Sequence, residues 1–198
     1  MKAIKVKRSV FFAFIFFSIF ILLIPLKNSF AETGANFFIG PVGLVQMGGN
    51  NRDLGAGPGV TFGVGYDWEK VGVRGKFLIG ALDDTGGLDD SVEFFNFGAD
   101  LKLYILDFIG HPESPLRPWA LVGVGCYFLT EGSVEDNDNA TGVGVVFGFG
   151  LDYRAFEFLS FGFENNFHII GLLEDAPGGD NGFAMYFYTV TGTVIFHF

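Results

Sequence analysis

The sequence predicts an all-β fold, a single eight-stranded antiparallel transmembrane β-barrel strung as an up-and-down meander. Three observations predict it. Eight segments alternate apolar with small or polar residues at a period of two, the signature of strands with two unlike faces. Beyond residue 31 no apolar run approaches the ~20 residues a membrane helix needs, although 49% of the chain is hydrophobic and 27 residues are Phe. The connections between the segments alternate long and short, as they do when short turns close one end of a membrane barrel and long loops the other.

The first 31 residues stand apart from this pattern. Lys2, Lys5, Lys7 and Arg8 precede an apolar run, Val10 to Ile24, that only Ser18 interrupts. Pro25 ends the run, and Ser29-Phe30-Ala31 places small residues where a signal peptidase reads them. Residues 1–31 are therefore expected to be a cleaved signal peptide and residues 32–198 the barrel. An uncleaved membrane helix is the alternative, for which the run is short. The remaining chain holds seven basic and 22 acidic residues, a formal charge of −15, which repels nucleic acid. With one cysteine, Cys126, no intrachain disulfide can form.

The strands follow in order. Asn36 to Met47 is the least regular, with Pro41 inside it, and Pro in a strand marks an edge or bulge. Gly59 to Trp68 is regular, its row of Val60, Phe62, Val64, Tyr66 and Trp68 opposed by Gly59, Thr61, Gly63, Gly65 and Asp67. Val71 to Leu82 turns Val73, Phe77 and Ile79 outward and Arg74 and Lys76 inward, and Ser91 to Leu106 opposes Phe95, Phe97 and Leu101 to Asn96, Asp100, Lys102 and Tyr104. Trp119 to Thr130 is a strand whose two rows are both apolar or glycine, so its faces stay unassigned. Val143 to Arg154 sends Asp152 and Arg154 inward with its glycines; Leu159 to Ile169 sends Ser160, Glu164, Asn166 and His168 inward but leaves Asn165 unexplained in the outward row. The segment Asp107 to Pro118, with Pro112, Pro115 and Pro118, falls where a short turn is expected and is long.

The last strand, Phe183 to Phe198, has an outward row of Tyr186, Tyr188, Val190, Gly192, Val194 and Phe196, ending at Phe198: apolar in its middle and aromatic at both ends. Rings at the two headgroup levels are what a lipid-facing row carries. Tyr66, Trp68, Trp119, Tyr153, Phe196 and Phe198 are expected to form the aromatic girdle at the periplasmic rim.

These residues resemble the small eight-stranded outer-membrane barrels of Gram-negative bacteria, the OmpA/OmpX/OmpW-like group. The resemblance covers the whole chain after the leader as a pattern, and its most specific element is Tyr188, Val190, Val194, Phe196 and Phe198. It implies an outer-membrane location, lipid and lipopolysaccharide as surroundings, and a terminal strand that looks like the signal read by the barrel-assembly machinery. With no second domain after Phe198, the peptidoglycan-binding module that some members carry is expected to be absent.

Inside the barrel, Arg74, Lys76, Lys102 and Arg154 are expected to meet Asp100, Asp152 and Glu164. An eight-stranded barrel is only wide enough for its side chains to fill, which favours an ion-pair core over a pore. Towards the extracellular end the inward residues are apolar, Leu78, Leu82, Phe94, Met185 and Phe187, either a seal or a small cup for a hydrophobic ligand. No catalytic, cofactor or metal site is expected. Ser160, Glu164 and His168 share one face, but at ~3.3 Å per residue the Ser and His lie about 26 Å apart. The His-x-Ser pair of the lipid A deacylases is also missing: His111 and His168 are followed two residues on by Glu113 and Ile170, and His197 by no residue. The long connections hold twelve acidic residues and one basic, Arg52, an acidic surface or a divalent-cation site, although Asp136-x-Asp138-x-Ala140 lacks the full ligand set of a calcium loop. The expected role is a non-enzymatic structural or surface-interaction protein, with a narrow channel or carrier for small hydrophobic compounds as the alternative.

Overall fold

The computed structural model describes residues 33–48, 55–83, 91–109, 114–131, 139–172 and 184–198. The leader expected over residues 1–31 lies outside them, as do most of the acidic connection residues, from Asp53 to Asp180.

Eight antiparallel strands, each paired with its sequence neighbours, close into a barrel: β1 (Gly34–Gly48), β2 (Ala56–Asp67), β3 (Val71–Asp83), β4 (Ser91–Tyr104), β5 (Leu116–Glu131), β6 (Asn139–Phe156), β7 (Leu159–Leu172) and β8 (Ala184–His197). The eight expected strands are all present, several reaching further than periodicity alone indicated. Between β4 and β5 the chain makes one helical turn, α1 (Ile105–Phe108). No helix among the described residues is long and apolar enough to cross a membrane. The strands do the crossing.

The two rows of each strand separate cleanly. Outward residues such as Val64, Phe77, Phe97, Val124, Phe147, Phe149 and Phe163 are exposed, while inward residues such as Arg74, Asn96, Glu164 and Thr191 are buried. A water-soluble barrel would reverse this order, so the exposed apolar band is a surface for lipid. Bulky inward side chains find room over inward glycines. Trp119 lies over Gly150, its register partner, where any Cβ would strike the indole.

Closure joins β1 to β8, from Asn36 opposite His197 to Gly48 opposite Tyr186. Pairing lapses at Gly40 and Pro41 and shifts near Gln46, so the irregularity Pro41 signalled falls on the seam. Gly40 is required there: a Cβ on it would run into the backbone carbonyl of Gly192.

Two expectations are corrected. Trp119 belongs to no girdle; it is 1% exposed inside the lumen. The rows of β5 resolve as Arg117, Trp119, Leu121, Gly123, Tyr127 and Leu129 inward, with Val122, Val124, Cys126 and Phe128 outward. Nor is Pro118 part of a long connection. It lies in β5 opposite Leu151, one residue before pairing with β4 begins, where its missing N–H faces no partner strand.

Candidate functional site

Among the described residues polar chemistry concentrates in the lumen, where it is built in layers. At the short-turn end, Asp67 of β2 accepts from Asn36 Nδ2 (2.7 Å) and from the Tyr104 hydroxyl (2.7 Å). Beside it Arg117 pairs with Asp107 from α1 and donates to the Glu69 carbonyl at 3.1 Å. Its guanidinium stacks 3.8 Å from the Tyr104 ring centroid. Reading the segment Asp107 to Pro118 as a connection hid both Asp107 and Arg117. The helical turn and early strand start bring them together.

The next layer is Lys102 Nζ to Asp152 Oδ2 at 2.7 Å, with the ammonium 4.1 Å from the Trp119 ring. In the middle, Arg74 bridges Glu164 (2.7 Å) and Asp100 (3.0 Å), and Lys76 reaches the same Asp100 oxygen at 3.1 Å. Asn166 donates to the second oxygen of Glu164 at 2.8 Å. Arg74, Lys76, Asp100 and Glu164 are all buried, so each charge depends on its partners rather than on water. Arg154 stands half-buried and makes none of these ion pairs among the described residues.

Above the charges Tyr127 and His168 bond at 2.9 Å, and the far side of the imidazole meets the Thr189 hydroxyl at 3.2 Å. Then the lumen turns apolar. Leu78, Leu82, Phe94, Met185 and Phe187 join Val42, Leu44, Val92, Tyr127, Leu129, Ala140 and Ile170 in one buried cluster. The Phe94 and Phe187 ring centroids are 5.1 Å apart, and both residues are 0% exposed.

Tyr188, Val190, Val194 and Phe196 stand on the outer face of β8, with Phe198 following the strand. Periodicity missed one nucleophile–base contact, because it spans two strands: Ser160 Oγ lies 2.8 Å from His197 Nε2. Ser160 is 2% exposed, and among the described residues no carboxylate bonds to His197, so the pair lacks both access and an orienting acid. Nor do the described residues hold a His, Cys, Asp and Glu group able to bind a metal.

A closed barrel with charge-paired contents and an apolar outer band defines a small integral membrane barrel. Its fold is that of the eight-stranded outer-membrane barrels. Neisserial surface protein A matches with a TM-score of 0.61 and 10% identity over 85% of this chain and 98% of that one. The outer membrane protein OprG of Pseudomonas aeruginosa matches at 0.53 with 15% identity over 86% and 100%. The attachment invasion locus protein Ail of Yersinia pestis, in complex with the heparin analogue sucrose octasulfate, matches at 0.50 with 12% identity over 83% and 99%. The sequence matches no protein-family model and no curated protein.

Proposed function

We propose that the protein is a non-enzymatic barrel of the outer membrane whose role is structural or surface-interacting, a rigid non-conducting post that presents its long connections. The observation that carries this is the filled lumen. Phe94, Phe187, Leu44, Leu82 and Ile170, each 0% exposed, pack together over a layer of buried ion pairs, so an ion would meet first an apolar and then a charged obstruction. The Neisserial neighbour bears the name of a surface protein. The acidic connections set the partner chemistry. Twelve acidic residues against one Arg favour a cationic or cation-bridged partner and disfavour a polyanion such as the sucrose octasulfate held by the Yersinia neighbour. Lipid and lipopolysaccharide surround the outer band. On this reading the outward row of β8, from Tyr188 to Phe196, with Phe198 after it, serves assembly.

Recordings in planar bilayers test the reading. Refolded protein is expected to show no conductance steps at any voltage the bilayer withstands; reproducible single-channel steps would establish the channel alternative instead.

A further inference from the structure

The outward face of β7 carries one residue that does not belong in hydrocarbon. Asn165 is flanked along its strand by Phe163 and Phe167 and across the ladder by Phe149 and Val190, all facing out. It therefore sits within the apolar band, near the middle of its strand and among outward apolar neighbours. Its Oδ1 accepts from the Tyr188 hydroxyl at 2.5 Å. Its Nδ2, with two donor hydrogens, meets no acceptor among the described residues. An amide left so in lipid costs free energy that a protein partner would recover.

The surface around it is asymmetric in a useful way. On one side Phe149 and Phe163 form a ridge, 63% and 51% exposed. On the other side Gly192 of β8 and Gly43 and Pro41 of β1 leave a shallow strip in the outward face, bordered by Val190 and Val194 on β8 and by Ile39 and Val45 on β1. A Cβ built on Gly192 meets nothing within 4 Å. We propose that the protein forms a two-fold dimer in the membrane through the outer face of β6, β7, β8 and β1, with the axis passing beside Asn165. Rotation by half a turn about that axis lays the ridge of each copy onto the strip of the other, and brings the two Asn165–Tyr188 pairs together.

The second copy is the occupant because the polar pair is complementary to itself. It offers two unused Nδ2 donors, and its unused acceptors are the second lone pair of Oδ1 and that of the Tyr188 oxygen. Only an isologous contact sets a residue against its own copy. An acyl chain can fill the strip but cannot accept a hydrogen bond. The rival outer hollow, about 600 Å³ around Ala99, Val124, Cys126 and Val143, has an almost wholly apolar lining and asks for no such partner.

The test uses the mature chain refolded in lipid vesicles, with heat-modifiability on gels to confirm folding. Single cysteines are introduced in a Cys126→Ser background, Val190→Cys beside the axis and Val124→Cys on the rival face. Val190→Cys is expected to crosslink to itself on mild oxidation, and Val124→Cys is not. Energy transfer between labelled copies is expected to report a dimer that Asn165→Leu weakens about ten-fold, the worth of one membrane hydrogen bond. Gly192→Leu, whose Cβ has no atom within 4 Å and whose branched end fills the strip beside the outward Phe163, is expected to abolish the dimer in a barrel that still folds. A monomer at every protein-to-lipid ratio, crosslinking through Val124→Cys in place of Val190→Cys, or a dimer indifferent to Gly192→Leu would each overturn the proposal.

Discussion

Arg74 carries more of the lumen than any other residue. It bridges Glu164 on β7 and Asp100 on β4 and has Phe38 and Trp119 against its guanidinium at 5.1 and 5.4 Å. Its stabilising weight comes less from the attraction than from what removal leaves behind. Glu164 would be buried with only Asn166 as a donor, and breaking a buried pair from one side costs about 3–5 kcal/mol. Arg74→Met is expected to lose that much in urea unfolding from vesicles, and Arg74→Met with Glu164→Leu to recover most of it, since Lys76 still neutralises Asp100. That Arg74 points inward was legible from strand period alone. That it meets Glu164 was not, because the partner lies far along the chain and is chosen by the stagger of strands around the barrel, which no local pattern encodes.

At the scale of the element, β1 and β5 show where periodicity runs out. Alternation assigns faces only when the two rows differ in polarity, and β5 sets Trp119, Leu121, Tyr127 and Leu129 against Leu116, Val122, Val124 and Phe128, apolar on both sides. What distinguishes the rows is space: the inward aromatics lie over glycines of the neighbouring strand β6, Trp119 over Gly150 and Tyr127 over Gly144. A sequence reveals that match only once register is known. In β1 the difficulty was Pro41, and the structure turns it into the mark of the seam, where pairing with β8 lapses across Gly40 and Pro41. Two seam glycines should then answer alanine oppositely. Gly40→Ala drives a methyl into the Gly192 carbonyl and is expected to cost about 3 kcal/mol or more, as overpacking against fixed backbone does. Gly192→Ala meets no atom of its own chain and is expected, at a protein-to-lipid ratio low enough to keep the barrel monomeric, to leave the unfolding free energy within about 0.5 kcal/mol of the wild type, as surface substitutions do. Equal effects of the two in vesicle unfolding would mean that the seam is not where the structure puts it.

For the whole molecule, fold class, strand number and the sense of each regular strand were legible, because a lipid-facing barrel inverts the usual burial order and writes it residue by residue. The contents of its upper lumen were legible as apolar but not as a plug or a cup, since composition does not say whether side chains close on one another. In the structure Phe94 packs against Phe187 and Tyr127, with Leu82 and Ile170 in the same buried cluster, the arrangement on which the proposed plug rests. A closed apolar cluster and a ligand cup differ in one measurable respect, the volume open to a small apolar solute. Phe94→Ala with Phe187→Ala opens such a volume, and an apolar cavity in a protein stays dry and takes up xenon or benzene. Xenon NMR shifts on folded protein are therefore expected to saturate for the double variant and not for the wild type. Bilayer recordings of the same variant are expected to stay silent, because the ion-pair layer of Arg74, Lys76, Asp100 and Glu164 still crosses the lumen beneath the opened space. Saturable xenon uptake by the wild type would instead show that the cluster already parts for a guest, and would move the protein from a closed post to a carrier of small hydrophobic compounds.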